Sequence, residues 1–110
     1  SERPKISSVF HNRLKKRMKL QSDPTTIYGI WNRYDGNIHK SDLLEKTAYN
    51  TYAIPALPKG PIANPGLSAI KAAIFPEESS YWYYLSAKNG ATIFSKTLEE
   101  HNKNKAIYLK

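Results

Sequence analysis

Four amides, Asn12, Gln21, Asn50 and Asn64, are the first residues of this chain that suggest chemistry. An amide both donates and accepts hydrogen bonds, which is what a neutral polyol demands of its site. Tyr49 and Tyr52 add aromatic faces on which a sugar ring stacks, as do Tyr28, Trp31 and Tyr34. The spacing of Ile27, Ile30 and Trp31 assigns those three to a helix core. Among the carboxylates Asp23 stands out by context, although an Asp-Pro pair also reads as a helix cap. Glu77 and Glu78 follow a helix stop, and Glu99 and Glu100 fall in a helix first turn. The seven residues Asn12, Gln21, Asp23, Tyr49, Asn50, Tyr52 and Asn64 therefore bound a cleft for a polar, neutral or mixed ligand.

Other chemistries lack their residues. The histidines, His11, His39 and His101, are far apart and outside any metal-binding spacing, and cysteine is absent, so no metal or other cofactor is expected. The five glycines are isolated turn residues, which leaves no phosphate-cradling loop, and no G-x-S-x-G elbow supports a serine nucleophile.

The elements that must position these groups follow from local pattern. Pro4 opens a helix over 4–17 with Ile6, Val9, Phe10 and Leu14 on one face. Asp23 as N-cap and Pro24 at the first position start a second helix, which ends at the Asp35-Gly36-Asn37 turn. A helical turn near 41–45 leads into Tyr49–Gly66, which holds four of the seven prolines and a single charge, Lys59. Proline fixes its own φ and extends its predecessor, so this stretch reads as an ordered loop packed through Tyr49, Tyr52, Ile54, Leu57 and Ile62. Asn64 and Pro65 start a third helix with Leu67, Ile70 and Ile74 toward the core, and Pro76 stops it. Tyr81–Ser86 and Ala91–Ser95 form a hairpin about Asn89-Gly90 in a type I′ turn. Thr97 and Glu100 form a capping box for a helix running toward Tyr108. The fold class is α+β: short helices, one small antiparallel hairpin and a long ordered proline-rich loop, in one domain over 1–110.

The chain carries 17 basic and 9 acidic residues, a formal charge of +8. Arg13, Lys15, Lys16, Arg17 and Lys19 cluster, and the other cations are scattered among carboxylates. Such a run at a helix end reads as a solvated face that suits the helix dipole.

Six stretches resemble, in this order and over essentially the whole chain, the YceG-like endolytic murein transglycosylases. They are VFHNRL (9–14), LQSDPTTIYG (20–29), YNTY (49–52), GPIANPG (60–66), SAIKAA (68–73) and FSKTLEEHN (94–102). The resemblance implies an enzyme of the bacterial cell envelope, anchored in the cytoplasmic membrane by one N-terminal helix, with its catalytic domain on the outer side. It implies peptidoglycan glycan strands as substrate, cell-wall synthases as partners, and no nucleic acid. The implied chemistry uses one glutamate, which protonates the glycosidic oxygen and then deprotonates the muramic 6-hydroxyl to close a 1,6-anhydro ring. That glutamate belongs to a Glu-Lys-Glu-Thr motif before the Ser-Glu-Arg matched by Ser1-Glu2-Arg3, so no catalytic acid is expected here and Glu2 matches another position. This chain then represents the C-terminal part of the catalytic domain, inactive by itself. The rival readings are a non-catalytic glycan-binding module and a basic nucleic-acid binder. Binding that collapses with salt marks the latter.

Overall fold

In the computed structural model, which describes residues 2–109, the elements are as follows. Helix α1 is Arg3–Lys15, α2 Asp23–Gly29, α3 Lys40–Leu44, α4 Leu67–Ile74 and α5 Leu98–Tyr108. Strands β1 (Tyr83–Ser86) and β2 (Thr92–Ser95) pair antiparallel, with Tyr83 opposite Ser95 and Ser86 opposite Thr92. The class is α+β, as the pattern predicts. The chain divides into two compact units, Ser1–Asn12 with Pro65–Lys110, and Arg13–Asn64.

In the first unit α1 buries Val9 and Ser8. Ser8 Oγ meets Ser79 Oγ at 2.6 Å, and the Asn12 amide donates to the carbonyls of Ser79 (3.0 Å) and Tyr81 (2.8 Å). Phe10 meets Tyr84 edge to face, and Tyr84 and Tyr81 pack on Phe94 across the hairpin. Thr97 caps α5, its Oγ1 accepting from Glu100 N–H at 3.1 Å, which is one half of the expected capping box; the return bond from the Glu100 side chain does not form. The helix is tied to the sheet by Asn104 on buried Ser95 and by His101 stacked on Tyr83.

Two details of this unit depart from expectation. Helix α4 begins at Leu67 with Gly66 as N-cap, because Gly66 stays extended (ψ 172°) and its C=O takes the first helical bond, from Ile70 N–H, which leaves Asn64 and Pro65 outside the helix. Its buried residue is Ala72, whereas Leu67, Ile70 and Ile74 face outward. His11 Nε2 on α1 meets the Ala73 carbonyl of α4 at 2.8 Å. The hairpin turn is also not type I′. Gly90 has φ +88° but Asn89 is not left-handed. Gly90 N–H donates to Ala87 C=O and Ala87 N–H to Ala91 C=O, closing a three-residue loop with glycine at its left-handed position.

The second unit opens where α1 ends. Met18 N–H reaches back to Arg13 C=O (2.8 Å) and Arg17 N–H to Leu14 C=O (3.1 Å), with Arg17 left-handed at φ +56°. This is a Schellman ending with arginine where glycine is usual. Arg13 is buried, with its guanidinium donating to Leu20 C=O at 2.6 Å, so it is part of the interior and not of a solvated face. Asp23 is not the cap of α2. Ser22 holds that position, and the Asp23 carboxylate turns away from the helix amides to accept from Tyr52 OH at 2.7 Å. After Ile30, which is buried, the chain tightens into a 3₁₀ turn over Trp31–Arg33. That change of period takes Trp31 out of the core. It is 70% exposed and stacks on Tyr34. Gly36 (φ +97°), with Asn37 N–H on Asp35 Oδ1, makes the expected turn. From Tyr49 to Gly66 no helix or strand forms. The path is pinned by bonds such as Lys59 N–H to Ala48 C=O, while Leu57 is exposed.

Candidate functional site

The interior of the second unit is built largely from polar groups. Thr25, Thr26, Asn50 and Thr51 are all buried, and each is hydrogen-bonded, as burial requires. Thr51 Oγ1 meets Thr25 Oγ1 at 2.8 Å and accepts from Ser22 N–H at 2.8 Å. Thr51 C=O takes the Gln21 N–H at 3.1 Å, and Thr25 Oγ1 donates to Ser22 C=O at 2.7 Å. These bonds lay residues 21–23 alongside 51–52.

Gln21 is held there in the left-handed region, at φ +51°, with its side chain exposed. For a residue other than glycine that geometry costs roughly 1–2 kcal/mol and persists only where the surroundings enforce it. Asp23, two positions after Gln21 and also exposed, is oriented by the Tyr52 phenol, which lies 29 residues away in sequence. The backbone of Gln21 is thus fixed beside Thr51, and two positions on the Asp23 carboxylate is joined to the Tyr52 phenol. An exposed amide and this carboxylate–phenol pair therefore lie along one edge of residues 21–23.

The other anticipated residues are placed as follows. Tyr49 packs against Tyr28, with ring centroids 4.6 Å apart, and is half-buried. Asn50 is 1% exposed. Its Nδ2 donates to the carbonyls of Asp42, Leu43 and Glu45, and its Oδ1 accepts from Thr26 Oγ1 and Tyr52 N–H. Every polar atom of that side chain is committed to joining α3 to the Tyr52 backbone. Asn64 is exposed at the end of the loop. Asn12 belongs to the other unit, where its amide clamps residues 79 and 81.

Sequence reasoning overlooked the threonines Thr25, Thr26 and Thr51. Hydrophobic periodicity has no signal for a buried hydroxyl. The available hint was the density of hydroxyl and amide side chains in SDPTT (22–26) and YNTY (49–52). It also overlooked a charge cluster in which Arg33 bridges Glu45 (2.8 Å) and Asp42 (3.6 Å). The His39 backbone N–H, donating to Asp42 Oδ2 at 2.8 Å, is the main cause holding the Asp42 carboxyl below its ordinary value; the His39 ring and Arg33 add to it and burial opposes. Asp42 is thereby kept ionised, the opposite of a general acid. Among the described residues no three histidine or carboxylate side chains converge as metal ligands. The edge presents hydrogen-bond donors and acceptors of residues 21, 23 and 52.

The sequence profile described as the YceG-like family matches residues 1–107. The chain is 48% identical over 109 residues to an endolytic murein transglycosylase of Bacillus subtilis strain 168, covering 99% of this chain and 30% of that one. It is 30% identical over 114 residues to the protein of the same name from Streptococcus pneumoniae D39, covering 98% and 20%. A crystal structure described as that of a yceG-like protein, lmo1499, from Listeria monocytogenes is similar with a TM-score of 0.82 and 49% identity. That match covers 89% of this chain and 32% of the Listeria chain. The chain therefore spans under a third of the length of the relatives it matches.

Proposed function

The chain belongs to the YceG-like family, and on that premise we propose that it is the glycan-holding part of an endolytic murein transglycosylase. The whole protein, in this reading, cleaves the bond between N-acetylmuramic acid and N-acetylglucosamine inside murein strands and leaves 1,6-anhydro ends. It works on the outer side of the cytoplasmic membrane, tethered by one membrane-spanning helix, beside cell-wall synthases.

The observation that carries the reading is the Gln21–Asp23 edge against Tyr52. Gln21 is held in a costly conformation by buried threonines while its amide stays accessible, which is how a binding group is preorganised. Gln21 donates to and accepts from sugar hydroxyl and acetamido groups, and Asp23 accepts from a hydroxyl. Tyr49 presents a ring face, and Asn64 contributes at the rim. Asn50 positions Tyr52, and Asn12 positions 79–81. The acid comes from a Glu-Lys-Glu-Thr segment preceding residue 1. Its proton goes to the glycosidic oxygen as the C1–O bond breaks. The resulting carboxylate then takes the proton of the muramic 6-hydroxyl as that oxygen closes on C1, so no water is consumed.

The test is digestion of purified murein by the full-length protein, with the soluble products weighed by mass spectrometry. Products lighter by one water than hydrolytic fragments are expected. Asp23→Ala removes a hydrogen bond to a charged acceptor, worth about 1.5–3 kcal/mol, and should lower kcat/KM about 10- to 100-fold. Hydrolytic products, or wild-type turnover by Asp23→Ala, would overturn the reading.

A further inference from the structure

Residues 15–19 carry Lys15, Lys16, Arg17 and Lys19, all exposed, and among the described residues none of these four forms an ion pair. From Arg3 to Ser22 the sequence has no carboxylate at all. The dipole of α1 accounts for Lys15 but not for Arg17 and Lys19, which lie beyond the helix end. The turn that displays them is rigid. Arg13 C=O receives the N–H groups of Lys16 and Met18, and the buried Arg13 guanidinium ties down Leu20. Arginine occupies the left-handed position, where glycine would sit without strain, so the fold gains nothing from the cation placed there.

The basic turn runs directly into the candidate edge. Lys19 and Gln21 are two residues apart in the same unit, a separation of at most about 7 Å between Cα atoms. A glycan backbone offers that edge only hydroxyl and acetamido groups. The anions of murein are the carboxylates of its peptide stems. We propose that the Lys15–Lys19 turn is a second subsite, which binds the stem carboxylates of the strand whose sugars lie on Gln21, Asp23 and Tyr52. The inference rests on the glycan reading above and deepens it. Two other polyanions fit less well. The segment has no aromatic side chain on which nucleic-acid bases stack, and Met18 is half-buried, so no apolar group stands ready to enter a lipid surface.

The experiment is co-sedimentation of the chain with three materials. These are intact sacculi freed of phosphodiester polymers by hydrofluoric acid, the same sacculi before that treatment, and glycan strands stripped of stems by an amidase. Binding to stripped strands reads the glycan site, and the difference between intact and stripped reads the basic turn, so the two can fail separately. Wild type should bind the acid-treated intact sacculi about tenfold more tightly than stripped strands, and the difference should shrink as salt screens the charges. Lys15→Gln/Lys16→Gln/Arg17→Gly/Lys19→Gln should lose the difference and bind stripped strands as wild type does. Glycine at 17 relieves the backbone, so its melting temperature should not fall. Lys15→Arg/Lys16→Arg/Lys19→Arg should keep the difference. Equal binding of wild type and the neutralised variant to acid-treated sacculi overturns the proposal. So does a preference that disappears with hydrofluoric acid, which would assign the turn to a phosphodiester polymer.

Discussion

At the scale of single residues, Gln21 joins strain and exposure at one position. Its left-handed backbone is enforced by Thr51 and Ser22, while its amide faces solvent. Gln21→Gly should stay within about 1 kcal/mol of wild-type stability, because the relieved strain and the added chain entropy offset each other. Gln21→Val should lose more than about 1 kcal/mol, since a β-branched residue tolerates that region poorly. Urea melts of the two variants check this, and equal midpoints would show that the backbone is not constrained as described. Asp42 permits a prediction on pH. Its folded-state value is depressed, so it adds stability above the ordinary carboxylate value of 3.8. That contribution is lost as pH falls through the folded value. Thermal melts from neutral pH downward should show Asp42→Asn less stable at neutral pH, with the gap to wild type closing below about 4.

At the scale of elements, two glycines test the local geometry. Gly90 closes the hairpin at φ +88° with nothing near its Cα hydrogens, so a Gly90→Val change meets only backbone strain. It should cost more than roughly 1 kcal/mol, and an unchanged melting curve would mean the turn is placed wrongly. Gly29, at the end of α2, is the opposite case. A Cβ there would collide with Thr47 Oγ1. That oxygen accepts from the N–H groups of Tyr49 and Asn50, so it cannot move without releasing both. Gly29→Ala should cost about 1–3 kcal/mol. It should also weaken glycan binding, because the two amides begin the segment that carries Tyr49 and Tyr52.

At the scale of the whole molecule, the chain spans 30% of its Bacillus relative's length. Proton transfer by a positioned acid contributes on the order of 10² to 10⁴ in rate, whereas holding a sugar draws on amides and phenols. The chain alone should therefore bind stripped glycan strands yet release no anhydro ends, while the full-length protein does both. Mass spectrometry of the soluble fraction checks it. Anhydro ends released by the short chain at a comparable rate would move the search for the acid to Glu2 and Asp23.

Much of this protein is determined by sequence alone. The helices over 3–15 and 98–108, the hairpin over 83–95 and the helix-free path from Tyr49 to Gly66 follow from caps, prolines and apolar spacing, because these act between near neighbours. The grouping of LQSDPT with YNTY was likewise legible, as motifs, before any geometry. Tertiary structure alone decided what each side chain does. Asn12 and Asn50 have the composition of ligand contacts, but their amides are used on carbonyls of segments distant in sequence. Arg13 has the look of a surface charge and is buried, while Leu67, Ile70, Ile74 and Trp31 have core spacing and are exposed. Periodicity states which residues share a face. What covers that face depends on the elements brought against it, and a left-handed Gln21 depends on a Thr51 thirty positions away.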